Sequence, residues 1–328
     1  MFDRHSDGHI ETGVLRTLSG TAYPVVGGIP RFLPDAWEAF ARELWPFRSQ
    51  LSGIAKIAKK LPRKVRRTRA SFSVQWEKLK TSQLDEAHYP NARLFANSLG
   101  FEENDPFLTT VLEGKSFLDA GCGVGRYTLQ ALRYGAKVIG IDLSSVGCDV
   151  TYRVTRANPM CLVVQGDLLH PPLAPETFDW VYAVGVLHHT ADAHCAFNQI
   201  CRLARQGGRM VVGVYWKYKR YRFYEKMRKV TIHLPPRLLY WMIQGLIPLS
   251  YLPGLGDFFY PWFQPQDRWS RRVGGCFDHM HPTYQSYHDP EEIKGWFKNV
   301  HPPFDDPVMA HPFNSLVAKK GRNSSDPK

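Results

Sequence analysis

Residues 117–126 read FLDAGCGVGR: an apolar run ends in the carboxylate of Asp119, turns through Gly121, Gly123 and Gly125, and leads into the helical pattern of YTLQALRY, 127–134. Glycines at such a turn allow dihedrals closed to other residues and let a ligand approach the backbone closely. The spacing is GxGxG, not GxGxxG, and an acid stands two residues before the first glycine. A pyrophosphate would be repelled by a carboxylate there, whereas a cationic ligand would be held.

Outward from this turn, short apolar runs alternate with helical segments. KSFLD (115–119), KVIGID (137–142), CLVVQ (161–165), FDWVYAV (178–184) and RMVVGVY (209–215) are the runs, and AHCAFNQICRLA (193–204) is a helix that ends at Gly207-Gly208. Continuous apolar strands alternating with helices predict an α/β fold, a doubly wound and mostly parallel sheet covered on both faces. Ligands of such sheets bind beyond the carboxyl ends of the strands. Asp142 ends the second strand, 17 residues after Gly125, where it can accept both hydroxyls of a ribose. Asp167, in VVQGDLLHPP (163–172), ends the third and can bond an adenine amino group, with Leu168 against the ring. Each also has an ordinary structural use, Asp142 as a helix cap and Asp167 in a turn. Taken together, these positions suit an adenosine that carries a charged amino-acid tail.

With these residues in view, the chain resembles the class I S-adenosylmethionine-dependent methyltransferases. LDAGCGVGRYT is similar to their first motif, VIGIDLS to the second, GDLLHPPLAPETFDWVYAVGVLHHT to the next two and LARQGGRMVVGVY to the fifth-strand motif. The resemblance implies a Rossmann-like sheet of seven strands and S-adenosylmethionine as cofactor. It implies that Asp119, Gly121, Cys122, Gly123 and Gly125 surround the methionine part, Asp142 with Leu143 holds the ribose, and Asp167 with Leu168 holds the adenine. The Val184-Gly185 backbone would line the methionine side. SFSVQWEKL (71–79) and FDHMHPTYQSYHDPEEIKGWF (277–297) resemble elements of a bacterial subgroup, in which the first covers the cofactor and the second serves the substrate side. YPVVGGIPRFLP (23–34) resembles the small Trm112-like domain that precedes such cores. Thr17 and Gly20 stand near the place of its zinc cysteines, so the unit is expected to be metal-free. The expected divisions are the N-terminal β-rich unit (1–35), a helical cofactor-covering segment (36–115), the core (116–216), a helical and aromatic substrate-side insertion (217–302) and terminal strands closing the sheet (303–322).

The composition fits this frame. Of 328 residues, 44% are hydrophobic and 22% charged, an ordinary globular balance. The six cysteines form no CxxC pair, which argues against a disulfide scaffold or a zinc ribbon. MFDRHSDGH lacks the pattern of a secretory signal, so a cytoplasmic location is expected. The net charge of +12 is concentrated in 56–80, with ten basic residues and Glu77, and in 217–229, with seven and Glu225. Such a field attracts phosphates, nucleic acid, an anionic membrane face or an anionic substrate, the alternative being two solvated helix faces. Residues 238–256 carry no charge, but Pro248, Pro253 and three glycines break them. The expectation is no transmembrane span but a hydrophobic lid or substrate wall, with peripheral membrane contact open.

Methyl transfer to oxygen needs a base, and His189 with His188, just past the fourth strand, is the candidate pair. The alternative is that one packs beneath its loop while the other caps a helix. Tyr284 and His288, in a cluster with His281 and Tyr287, are candidate substrate residues or simply pack a surface turn. No GxSxG, HExxH or GxxxxGK[ST] motif is present, HHTADAH has no metal-ligand spacing, and no metal is expected. Three functions follow: methylation of a small or lipid-like acceptor at O or C, RNA methylation through the basic segments, or S-adenosylmethionine binding without catalysis.

Overall fold

The computed structural model describes residues 3–4, 10–52, 60–217, 221–252, 268–310 and 315–321. A small antiparallel sheet comes first: β1 (Asp3–Arg4), β2 (Ile10–Arg16), β3 (Ala22–Val26) and β4 (Ile29–Pro30). The short helices α1 (Ala36–Ala39) and α2 (Ala41–Leu44) follow, and Ala22, Val26, Trp37, Leu44 and Leu51 form a core of their own. This unit docks on the far edge of the main sheet through Arg31, which is 2% exposed. Its guanidinium lies 4.5 Å over the Phe40 ring, donates to the Val26 carbonyl at 3.1 Å and pairs with Asp149 at 2.6 Å. Phe32 N–H donates to the Gln165 carbonyl at 2.8 Å. Gly28, at φ +72°, faces the Tyr152 hydroxyl so closely that a Cβ would lie 2.2 Å from it.

Arg31→Ala removes the charge that Phe40, Val26 and Asp149 share. We expect a loss of roughly 2–3 kcal/mol of unfolding free energy in urea titration, since the buried Val26 carbonyl loses its donor and the space of a buried side chain is left empty, whereas the half-exposed Asp149 is taken up by solvent. A stability equal to the parent's would show that the docking rests on apolar contact alone.

The long α3 (Arg63–Leu84), then α4 (Asn91–Ser98) and α5 (Pro106–Leu112), lead into the main domain. There β5 (Ser116–Ala120), α6 (Arg126–Arg133), β6 (Lys137–Asp142), α7 (Ser145–Thr155) and β7 (Cys161–Gln165) build one half. β8 (Phe178–Val184), α8 (Ala193–Cys201) and β9 (Ala204–Gly213) build the other. After the helices α9 (Tyr221–Thr231), α10 (Pro236–Leu246), α11 (Trp269–Met280) and α12 (Pro290–Lys298), the strands β10 (Val308–Ala310) and β11 (Ser315–Lys319) complete the sheet.

The order is β10-β11-β9-β8-β5-β6-β7, with β5 to β9 mutually parallel, β11 antiparallel to β9, and β10 antiparallel to β11 and so aligned with the rest. It is the expected seven-stranded, mostly parallel, Rossmann-like sheet. Alternate strand residues serve two cores. Phe117, Tyr182 and Val211 pack with Phe95 of α4, Leu108 and Leu112 of α5 and Ala131 of α6. Leu118, Val181, Met210 and Val212 pack with Phe197 and Ile200 of α8 and Phe297 of α12. The chain winds one way from β5 to β7 and resumes at β8 on the other side of β5. That reversal opens a crevice at the carboxyl ends of β5 and β8.

Segment 36–115 divides. α4 and α5 cover the sheet, whereas α3 joins the insertion: Val74 and Leu79 share a core with Tyr224, Leu239, Ile243 and Phe277. α3 and the insertion thus form one helical cap over the crevice. Residues 253–256 of the charge-free stretch lie outside the described residues. Its first part, α10, is not a wall of the crevice; it packs behind α3 and α11. No helix among the described residues is long and apolar enough to cross a membrane.

Candidate active site

The crevice is a cavity of about 370 Å³ between the carboxyl edge of the sheet and the helical cap. Its floor comes from the glycine turn, and the turn's shape from its residues. Gly121, Gly123 and Gly125 have φ of +87°, +54° and +87°. A Cβ on Gly121 would come 2.4 Å from Val186 Cγ2 and one on Gly123 3.0 Å from the Trp76 ring, so backbone lies where side chains would stand. Gly121, Cys122 and Gly123 line the cavity, and Gly125 stands behind them against Thr151.

Asp142, at the end of β6, lines the cavity beside Leu143. It accepts from Gly123 N at 2.9 Å and from Ser144 N at 2.7 Å. Burial pushes its carboxyl up to about 6, against those amide donors. Ser144, not Asp142, caps α7, accepting from Gly147 N at 3.2 Å. Asp167 and Leu168 line the wall next along, and Asp167 also shapes its own turn by accepting from Leu169 N at 3.0 Å. Val184 and Gly185 line the side next to β8. Gly185, at φ +80°, has nothing within 4 Å of a would-be Cβ: a side chain there would project into the cavity.

Asp119 does not reach the cavity. It lies 2% exposed under the glycine turn and accepts from Thr128 Oγ1 at 2.6 Å. Burial, with the nearby Asp142 charge adding to it, pushes it up to about 7 in spite of the Thr128 bond. A raised folded value means that the native state holds a proton which the unfolded chain releases above about pH 4, so stability falls as pH rises from 4 to 7. Asp119→Asn keeps an acceptor for Thr128 and removes that penalty. Unfolding free energy is expected to rise by roughly 1–3 kcal/mol at pH 8 and to match the parent at pH 4. A pH-independent difference would refute the titration.

The cap supplies the opposite wall. Along α3, Val65, Thr68, Phe72, Gln75 and Trp76 fall on one helical stripe facing the sheet. Gly274 of α11 permits close packing, since a Cβ there would meet Leu79 Cδ1 at 2.9 Å. Arg126, at the start of α6, lines the cavity while bonded to Gln83 at 2.8 Å and Asn91 at 2.9 Å, its guanidinium 4.7 Å from the Tyr89 ring centre.

The structure separates the two histidines. His189 lines the cavity; its Nδ1 donates to the Tyr284 carbonyl at 3.2 Å, and its Nε2 faces Asp278 Oδ2 at 3.5 Å. Asp278, on α11, also lines the cavity and accepts from the Tyr215 hydroxyl. Burial alone would raise its carboxyl; the facing His189 and the Tyr215 hydroxyl hold it well below the usual carboxylate range. His188 is fully buried behind this group, its ring 3.9 Å from that of Tyr215, and burial with the neighbouring His189 holds it neutral. Neither histidine caps α8; Asp192 does, accepting from Cys195 N at 2.8 Å.

The second cluster also divides. Tyr284 lines the cavity. His288 does not: its ring bonds Glu292 at 2.8 Å and Ser286 at 2.8 Å and lines a separate hollow beside α12. His281 bonds Ser71 and the Leu234 carbonyl, so it ties α3 to the insertion. Arg228, from the second basic run, is buried and donates to the carbonyls of His279, Pro282 and Thr283 and to Gln285, pinning the loop that carries Tyr284. Asp278 and Tyr215 are the residues that sequence reasoning passed over. Tyr215 was within reach, because it follows β9 at the same sheet edge as Asp142 and Asp167. Among the described residues, no group of His, Cys, Asp and Glu could hold a metal ion.

The cavity fits S-adenosylmethionine on its own geometry. Besides the acids at successive strand ends and the open space at Gly185, two buried polar atoms of cavity-lining residues, Gln75 Oε1 and Trp76 Nε1, have no hydrogen-bond partner.

Comparison with known proteins agrees. Residues 118–212 match the family model of a methyltransferase domain. The core of this chain is similar to a methyltransferase domain over those residues. It is 28% identical over 132 residues to the sterol 24-C-methyltransferase of Schizosaccharomyces pombe, covering 37% of this chain and 33% of that one. It is 34% identical over 111 residues to the ubiquinone biosynthesis O-methyltransferase of Rhizobium rhizogenes, covering 33% and 44%. A third relative, the demethylmenaquinone methyltransferase of Thermobifida fusca, is 34% identical over 103 residues, covering 30% and 43%. The chain thus spans about a third of the first relative and under half of the other two. Among solved structures it is similar to an S-adenosylmethionine-dependent methyltransferase from Mesorhizobium loti, with 26% identity, 34% of this chain and 53% of that chain covered, and a TM-score of 0.30.

Proposed function

We propose that the protein transfers a methyl group from S-adenosylmethionine to an oxygen of a small, largely apolar, lipid-like acceptor. The observation that carries this reading is a single cavity that joins two unlike ends. One end has Asp142 and Asp167 on successive strand ends beside the glycine turn, with the Trp76 ring against Gly123; the other has His189, Asp278 and Tyr215, with the Phe72 ring 5.0 Å from that of His189. The sterol and quinone methyltransferases among the relatives support an apolar acceptor.

In this reading Asp142 accepts the ribose hydroxyls, Asp167 with Leu168 holds the adenine, and Gly121, Cys122, Gly123 and Gly185 leave room for the methionine part. When bound, S-adenosylmethionine brings a methyl group already activated on a sulfonium leaving group. The chain's own residues then position the acceptor and take its proton. His189 is held by the Tyr284 carbonyl at Nδ1, so Nε2, buried against Asp278, is the ring atom left to take up a proton, which reaches it through the Asp278 carboxylate at the cavity wall. Protonation there turns the 3.5 Å contact with Asp278 into an ion pair, and the Tyr215 hydroxyl keeps that carboxylate charged and oriented. Tyr284 lines the acceptor end; His188 and His288 serve as packing. In the same proposal, the N-terminal sheet is a metal-free packing unit of the Trm112-like kind.

The basic runs favour RNA less than their charge suggests. Arg69 is bound bidentately by Asp35 at 3.0 and 2.7 Å, and Arg228 is spent on the Tyr284 loop.

Calorimetric titration with S-adenosylmethionine and S-adenosylhomocysteine, followed by transfer of labelled methyl to apolar phenols and quinols, tests the proposal. Micromolar binding of both ligands with labelled ether products is the expected result. Binding with transfer only to RNA would replace the acceptor class, and absence of binding would refute the cofactor site.

A further inference from the structure

We propose that the outer face of the helical cap docks on an anionic phospholipid surface. The face is built on α10, whose inner residues Leu239, Tyr240 and Ile243 are buried against α3 and α11. Its other side carries Leu238, Trp241, Met242 and Leu246, at spacings that place them on one stripe. Trp241 is 60% exposed, Leu238 48% and Met242 41%, and Tyr251 and Leu252 continue the apolar surface past the helix end. Folded soluble surfaces carry single exposed apolar residues routinely, but a continuous stripe with a tryptophan in it marks an interaction site.

The charge around this stripe selects the partner. From Lys60 to Arg69 the first turns of α3 and the residues before them carry six basic side chains and no acid. Lys60, Arg63, Lys64 and Arg66 are exposed, and Arg67 reaches His233, just before α10, at 3.5 Å. On α9, Arg222, Lys226 and Lys229 are exposed along one face, ending beside the exposed Val230. Glu225 and Glu77 are the acids of these surfaces, and Glu77 is already paired with Arg237 and Lys78. An apolar stripe with a tryptophan, flanked by lysine and arginine, is the arrangement of a helix that lies in the plane of a membrane interface. A folded partner protein would also bury the stripe, yet it would have no need of cations on both α3, which packs against α10, and α9, which packs against α11. The face lies one helix layer out from the cavity, since α3 and α11, which carry α10, supply Phe72 and Asp278 to the acceptor end.

The test is sedimentation of the full chain with phosphatidylcholine vesicles, with and without phosphatidylglycerol. Binding to the anionic vesicles is expected to be at least about tenfold tighter, since each cation brought near the surface adds to the attraction. Trp241→Ser with Met242→Ser is expected to weaken that binding at least about tenfold through lost apolar burial. Lys226→Glu with Lys229→Glu, at two exposed positions away from the helix core, is expected to remove most of the preference for anionic lipid. Both variants should keep the parent's thermal midpoint and cofactor affinity. Equal binding to both vesicle types, no binding, or binding that neither variant weakens would each overturn the proposal. So would light scattering that finds a dimer which Trp241→Ser with Met242→Ser converts to monomer, because a second copy would then be the occupant.

Discussion

Asp142→Ala is expected to weaken S-adenosylmethionine binding by about 100- to 1,000-fold, since each hydrogen bond to a charged group contributes roughly 1.5–3 kcal/mol and two hydroxyls lose their acceptor. The side chain is not only an acceptor for ligand. Its two oxygens already fix Gly123 N and Ser144 N, so the alanine also loosens the glycine turn. Asp142→Asn keeps one carbonyl acceptor at the same place and should fall between parent and alanine. The pH dependence has a defined sign. Burial lifts this carboxyl to about 6, and the charged form is the one that accepts two hydroxyls, so affinity is expected to fall as pH drops below about 6. Titration calorimetry across pH 5 to 8 checks both statements. Unchanged affinity in the alanine variant, with the fold intact by circular dichroism, would move the ribose site elsewhere.

His189→Ala is expected to lower kcat toward an oxygen acceptor by about 100- to 10,000-fold, the usual span for a positioned general base. The cofactor dissociation constant should stay as in the parent. Asp278→Asn is expected to lower kcat as well, because a proton on His189 would then lack its counter-charge. If the two act as a unit, the double variant should be little worse than His189→Ala alone, as residues of one proton-transfer group lose activity non-additively. Losses that multiply would show separate tasks, and a His189→Ala enzyme with full kcat would mean that the acceptor arrives without a proton to lose. His188→Gln supplies a contrast. That ring is sealed behind Tyr215, and its replacement should move stability more than turnover.

Much of the frame was legible from residues close together in the chain. An apolar run closed by an acid and three glycines forces a strand, a tight turn and a helix whatever surrounds them. Repetition of the strand–helix unit then dictates a parallel sheet, and with it the edge at which Asp142, Asp167 and Gly185 gather. These features depend on short-range periodicity and on backbone limits, which a sequence carries openly.

What the tertiary structure alone decided is which side chains meet. His188 and His189 are adjacent and chemically identical, but the short helical turn they share aims one ring at the cavity and buries the other. Asp278 meets Tyr215 across 63 residues of chain, and His189 meets the Tyr284 carbonyl across 95. Asp119 reads as a ligand for a cationic group, yet its strand turns it inward onto Thr128. Arg228 looks like surface charge within a basic run and is instead the buried pin of the Tyr284 loop. The charge-free stretch from Leu238 suits a cavity wall or an outer face equally well. The place of its described part, α10, was settled by α3, whose stripe of Phe72 and Trp76 covers the crevice first and leaves α10 outside. For all of these but Asp119, the deciding contact is with a neighbour far away in the chain, and no local pattern records which neighbour that will be.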